Sequence, residues 1–233
     1  MTYVTSDLHG YPFEEFQKLL ASADFGADDT LYILGDVVDR GADCVRILLW
    51  IMEQPNVRLL IGNHEMMMIG SRGLLGEVTD ELIANISSDA LVVFDRWMRN
   101  GGDVTARALN ALTPEKRDEI IEYLLDCSLY EQVTAGGREY LLCHSGPGNF
   151  APDRPIEDYT ADELTWHRPA IDERFYENGV TVVFGHTPTV YYDRGYRGRA
   201  IFTDTWINVD CGAASGIPPM LLRLDDLKEF YLS

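Results

Sequence analysis

Short aliphatic runs alternate with amphipathic stretches through the first third of the chain. Residues 1–5 are β-prone and run into SDLHG. Residues 12–21 follow with apolar side chains at Phe13, Phe16, Leu19 and Leu20, which is helical spacing. Pro12 suits the first turn of that helix. The run TLYIL at 30–34 predicts a strand ending in GDVVDRG. Residues 43–52 predict a helix with Asp43 as its N-cap, and VRLLI at 57–61 predicts a strand ending in GNHE. Each of these three strand–loop–helix units puts a polar cluster where its strand stops, the place where open α/β sheets build ligand sites.

The pattern changes further along. Residues 77–127 predict a helix-rich insertion, broken at RNGG (99–102). A hairpin is expected from 129–135 and 138–143 around Gly136-Gly137. VTVVF at 180–184 predicts a strand ending in GHT, and 200–203, 206–210 and 220–224 predict closing antiparallel strands. The fold class expected is α/β (α+β). With no internal repeat and no long linker, the 233 residues are expected to form a single domain, 1–233.

Composition narrows the function. With 38 acidic and 19 basic side chains the formal charge is −19, which argues against a nucleic-acid partner, since replacing phosphate counterions needs a basic stripe. Hydrophobic residues make up 46% of the chain, enough for a packed core without a disulfide or metal staple, so metal-ligand patterns read as function. The richest apolar stretch, 44–52, contains Arg46 and falls far short of the ~18 residues of a membrane span, so no membrane association is expected. The start MTYVTSDLHG lacks the basic and apolar regions of a signal peptide. Cys44, Cys127, Cys143 and Cys211 form no C-x-x-C pair, and four free thiols fit a reducing cytoplasm.

The strand ends hold the chemistry. Asp7 and His9 lie in SDLHG, Asp36, Asp39 and Arg40 in GDVVDRG, Asn63 and His64 in GNHE, His144 in CHSG and His186 in GHT. Four of the five histidines therefore fall at strand ends, and the fifth, His167, is expected to pack beside Arg168. Imidazole, carboxylate and amide oxygen together form a donor set for Zn, Fe or Mn. A D-x-H step on a strand would put Asp7 and His9 on one face, where they would clip one metal. Asn63, His144 and His186 would hold a second, with Asp36 as the bridge. Two dications roughly 3.5–4 Å apart suit hydrolysis at phosphorus, and they lower the pKa of a bound water from about 15.7 towards roughly 7–9. Arg40 and Arg168 are expected to grip the phosphoryl group. His64 follows Asn63, is expected to point elsewhere, and is the candidate general acid, with Asp39 on its other nitrogen. Glu65 is expected to hold the loop or start the helix, and Met66–Met68 to fill core.

In this order, SDLHG, GDVVDRG, GNHE, HSG and GHT resemble the phosphoprotein phosphatase branch of the calcineurin-like metallophosphoesterases, over about residues 7–212. RNGG (99–102), LTWHRPAI (164–171), GHTPT (185–189) and VDCGA (209–213) are most similar to the small bacterial and phage enzymes of the lambda type. The resemblance implies a β-sandwich of mixed sheets flanked by helices. It implies Asp7, His9, Asp36, Asn63, His144 and His186 as metal ligands, His64 paired with Asp39 as proton donor, and Arg40 with Arg168 as phosphate clamps. It further implies two divalent ions, commonly Mn²⁺, with Fe or Zn also matching the donors. Ser145 and Gly146 depart from the alanine or aspartate usual there, while Asp39 and Glu65 differ from similar dinucleoside-polyphosphate hydrolases, which usually replace that aspartate and read GNHD. The activity expected is Ser/Thr protein phosphatase, on a phosphoprotein or small phosphoester and without a phosphoenzyme. The alternatives are a dinucleoside polyphosphate or phosphodiester hydrolase on the same site, and a non-catalytic metal-bound interaction domain.

Overall fold

The computed structural model describes residues 1–76 and 86–232. The first half runs β1 (Thr2–Thr5), α1 (Phe13–Ser22), β2 (Thr30–Ile33), α2 (Cys44–Glu53), β3 (Val57–Leu59) and α3 (Asn63–Gly70). Next come α4 (Ser88–Trp97), α5 (Asp103–Asn110) and α6 (Pro114–Asp126). The second half is β4 (Tyr130–Ala135), β5 (Arg138–Cys143), α7 (Ala161–Thr165), β6 (Val180–Phe184), β7 (Ile201–Phe202), β8 (Trp206–Asn208), β9 (Met220–Arg223) and β10 (Lys228–Tyr231).

These strands form two five-stranded mixed sheets, ordered β10-β9-β1-β2-β3 and β4-β5-β6-β8-β7. Within them β1, β2 and β3 are parallel, as are β5, β6 and β8, while β9, β10, β4 and β7 join antiparallel. The two-residue alternation of each strand divides the apolar side chains between layers. Val4, Leu34, Leu60, Tyr140, Leu142, Val183, Ile207 and Leu222 share the core between the sheets. Their neighbours Tyr3, Leu31, Ile33 and Leu59 face helices on one outer side, with Phe16, Leu48 and Ile120. On the other side Leu141, Cys143, Val182, Phe184 and Trp206 pack with Leu164 and Phe175. The result is a β-sandwich with helices outside, as the family resemblance implied. No helix among the described residues is long and apolar enough to cross a membrane.

Some local expectations need correction. Asp43 precedes α2 but gives it no side-chain cap. Its Oδ2 instead accepts the Phe13 N–H at 2.8 Å, so it caps α1 and ties the two helix starts together. β10 carried no recognisable pattern, because it is an edge strand in which only Phe230 is buried. The RNGG break is a π-turn, Met98–Gly102, that joins α4 to α5. Residues 77–85 of the expected insertion lie outside the described residues.

Leu142 lies fully buried between the sheets, while Leu125 on α6 is 56% exposed. Leu142→Ala is expected to lower the unfolding free energy by about 2–5 kcal/mol. Leu125→Ala should change it by less than about 0.5 kcal/mol. Equal shifts in the denaturation midpoints of the two variants would contradict this layering.

Candidate metal centre

The parallel strands deliver their C-terminal loops to one cavity. Asp7, His9, Asp36, Arg40, Asn63, His64, Arg168 and His186 line it, with Asn100, Trp166, Pro188, Asp210 and Ala214. Nine non-glycine residues among those described have positive φ, and six are predicted site residues: Asp7, His9, Asp36, Asp39, Arg40 and His186. Such backbone is disfavoured for L-residues and persists only where its surroundings over-determine it. Here Asp7 N–H donates to Gly35 O (3.1 Å), His9 N–H to Asp36 O (2.9 Å) and Gly10 N–H to Val37 O (2.9 Å). Asp7 and His9 lie beyond the end of β1, so this left-handed loop, not strand alternation, turns both side chains inward.

Glu65 fixes the next loop. Its buried carboxylate accepts the N–H groups of Asp36 (2.8 Å), Val37 (2.8 Å), Val38 (3.2 Å) and Gly62 (3.0 Å). One side chain at the start of α3 therefore fastens the loop after β2. Asp36 Oδ1 returns the contact by accepting the His64 N–H at 3.0 Å. The packing there is close: a Cβ on Gly62 would sit 2.2 Å from Asp36 Oδ1.

Asp36 Oδ2 is the centre of the cluster. It lies 3.6 Å from His9 Nε2, 3.8 Å from His64 Nε2 and 3.4 Å from His144 Nε2. Asp7 Oδ1 is 4.0 Å from His9 Nε2. His144 Nε2 is 3.0 Å from Asn63 Oδ1 and 3.1 Å from His186 Nδ1. Backbone carbonyls orient two rings: His9 Nδ1 contacts Val38 O at 2.9 Å and His144 Nδ1 contacts Leu34 O at 2.7 Å, turning both Nε2 atoms toward Asp36.

Electrostatics favour cations in this space. Burial pushes the His9 imidazole down to about 3 and His186 to about 2, keeping both neutral with a lone pair for a metal. Burial also opposes charge on His144, but the Asp36 and Asp7 carboxylates outweigh it and push this imidazole up to about 10. Burial, with Asp36 beside it, raises the Asp7 carboxyl, and burial with Asp7 beside it raises Asp210 well above the usual range. Three buried carboxylates crowded together need positive charge. Asp36, His144 and His186 each offer a donor atom within 4.8 Å of the others, and so do His9, Asp36 and His64. The donors therefore fit divalent ions.

The other predicted residues surround this centre. Arg40 forks over two rings, its Nη1 2.9 Å from His9 Nε2 and its Nη2 2.9 Å from His64 Nε2. Arg168 Nη1 donates to His186 O (3.3 Å) and Thr187 Oγ1 (3.1 Å). His64 Nδ1 meets Asp39 Oδ2 at 2.6 Å. Contrary to expectation His64 does not point elsewhere: at the first turn of α3 its ring faces the same cavity as Asn63. His167 stays outside, held by Glu173 Oε1 (2.8 Å) and donating its N–H to Ser145 Oγ (3.1 Å). Sequence reasoning missed Asp210, whose only signal was the VDCGA motif; it lines the cavity and accepts the Gly212 N–H at 2.9 Å.

A family model described as calcineurin-like phosphoesterase matches residues 2–206, which contain every loop of this cavity except the one carrying Asp210. The chain belongs to that family. A curated relative, the symmetrical bis(5'-nucleosyl)-tetraphosphatase of Chromobacterium violaceum, is 33% identical over 102 residues, 42% of this chain and 36% of the relative. The matched stretch thus spans little more than a third of that relative's length. Among solved structures, one provisionally assigned as a diadenosine tetraphosphatase shares the fold with a TM-score of 0.66 at 16% identity, covering 99% of this chain and 92% of that one. The cold-active protein-tyrosine phosphatase of a Shewanella species gives 0.57 at 18% identity, covering 100% and 80%. At those identities the likeness is of fold alone.

Asp36→Asn, which replaces the central carboxylate with a neutral amide, is expected to abolish metal binding. After loading with excess Mn²⁺ and desalting, elemental analysis should find two ions per wild-type chain and fewer than one in the variant. Two ions retained by the variant would contradict a shared Asp36.

Proposed function

We propose that this calcineurin-like phosphoesterase hydrolyses phosphate esters with two divalent ions, and that His64 protonates the leaving oxygen. The 2.6 Å contact of His64 Nδ1 with Asp39, on a ring whose Nε2 faces the cavity, carries this reading. Asp7, His9 and Asp36 would hold one ion, and Asp36, Asn63, His144 and His186 the other, with Mn²⁺ the proposed metal and Fe or Zn compatible with the same donors. Bound there, the ions would supply positive charge to phosphoryl oxygens and lower the pKa of water.

The chain's own groups do the rest. Arg40 and Arg168 reach the cavity from its rim and bind the phosphoryl oxygens. Asp39 holds the His64 ring by Nδ1, and against burial Asp36 and then Asp39 raise its pKa, which favours the protonated ring. No covalent phosphoenzyme is proposed. The cavity lining carries no cysteine, and burial pushes the neighbouring Cys143 thiol up to about 12, far from a thiolate.

A positioned acid matters most for a poor leaving group, which supports alkyl phosphomonoesters, phosphoserine and phosphothreonine side chains included, as substrates. A second reading is hydrolysis of dinucleoside polyphosphates. The comparisons favour it over protein phosphatase activity, because the curated relative carries that name, while the protein phosphatase likeness is one of fold. The four free cysteines support a cytoplasmic location, and the shared cores support one domain.

The test compares a phosphoserine peptide, a dinucleoside tetraphosphate and an aryl phosphate on Mn²⁺-loaded protein. Turnover of the peptide is expected, and His64→Asn should lower its kcat by roughly 10²–10⁴, with a smaller loss on the aryl ester, whose oxygen leaves without a proton. Equal losses on both esters would contradict the acid role. Cleavage of the tetraphosphate alone would replace the ester reading with the second.

A further inference from the structure

The helical insertion showed no chemistry in the sequence beyond its RNGG break, yet two of its side chains end on Asp39. Trp97, the last residue of α4, is fully buried. Its Nε1–H donates to Asp39 Oδ2 at 2.9 Å and to Oδ1 at 3.0 Å. Thr105, on α5, donates its hydroxyl to Asp39 Oδ1 at 2.7 Å, and Thr105 Oγ1 in turn accepts the Asp39 N–H at 2.8 Å. With His64 on Oδ2, three donors converge on one carboxylate that is fully shielded from solvent.

The π-turn between the two helices makes this approach possible. A Cβ on Gly102 would lie 2.5 Å from the Trp97 indole, and one on Gly101 would lie 2.9 Å from Arg40 Cγ. The turn also grips Arg40, whose backbone N–H donates to Gly101 O (3.1 Å) and whose Nε–H donates to Asn100 O (3.4 Å). The insertion thus touches both the partner of the candidate acid and a candidate phosphate clamp.

We propose that Trp97 and Thr105 are positioning residues for leaving-group protonation: they lock the rotation of the Asp39 carboxylate so that Oδ2 stays on His64 Nδ1 and His64 Nε2 faces the substrate. This rests on the reading of His64 as the acid. A carboxylate free to turn would let the imidazole tilt or change tautomer, which weakens proton delivery without touching the metal donors. Thr105 contributes through its hydroxyl, so serine can replace it and valine cannot. Trp97 contributes through its N–H, which phenylalanine lacks while keeping an aromatic ring in the core.

The experiment measures kcat on an alkyl and an aryl phosphomonoester for Mn²⁺-loaded wild type, Trp97→Phe, Thr105→Val, Thr105→Ser and His64→Asn, with metal content and thermal unfolding recorded for each. Trp97→Phe and Thr105→Val are expected to lose about 10–100-fold on the alkyl ester and less than about 3-fold on the aryl ester. Thr105→Ser should stay within about 3-fold of wild type on both. Equal losses on the two esters, or no loss on the alkyl ester, would overturn the proposal while leaving the acid intact if His64→Asn keeps its leaving-group dependence. If His64→Asn shows no such dependence, the acid reading and this proposal fall together. Thr105→Val, nearly isosteric, decides the matter should Trp97→Phe not fold.

Discussion

Asp36 Oδ2, facing three buried imidazoles, is the point on which the structure of this site depends. Taken alone, it is an expensive arrangement, since a buried carboxylate needs hydrogen bonds or positive charge around it. The imidazoles and the backbone supply part of that. His144 and His64 outweigh burial and hold the Asp36 carboxyl well below its usual range. Burial and the neighbouring carboxylates push Asp7 and Asp210 the other way, because further negative charge there is costly without cations beside it. Divalent ions would complete this balance, and the same ions would make the cavity reactive toward phosphorus.

Holding so many groups in place requires unfavourable backbone. Six left-handed non-glycine residues sit around one cavity, and the loops bearing them are pinned chiefly to one another. Glu65 is the clearest example: four N–H donors from two loops share one carboxylate. Burial and the nearby Asp36 charge push its carboxyl up to about 7, against the pull of those N–H groups toward the ionised form. The two sheets behind the loops provide the rigid base, because strands that share a core cannot shift independently.

Much of this was readable in the chain. Asp7, His9, Asp36, Asn63, His144 and His186 stand where strands stop, and the structure brings all six together, though by left-handed turns that no strand periodicity reveals. The strands were legible as short apolar runs and the sandwich only through the family resemblance, whereas β10 was not legible, because an exposed edge strand buries too little to leave a pattern. Asp43 was legible as a cap but not as the cap of a different helix. Trp97 and Thr105 were silent because their roles arise from contacts with Asp39 across 58 and 66 residues of sequence. Asp210 was silent for a related reason: its position in the cavity depends on β8 lying beside β6 in the sheet.

Division of labour in the fold follows from the same contacts. The sheets set the donor atoms, the Glu65 clamp sets the loops, and the insertion reaches across to Asp39 and Arg40. The function proposed for this arrangement rests on the cluster holding two divalent ions that share Asp36. Anomalous diffraction from crystals grown with Mn²⁺ tests that directly. The account predicts two peaks per chain, one in contact with Asp7, His9 and Asp36 and the other with Asp36, Asn63, His144 and His186. A single peak, or peaks that do not share Asp36, would contradict it.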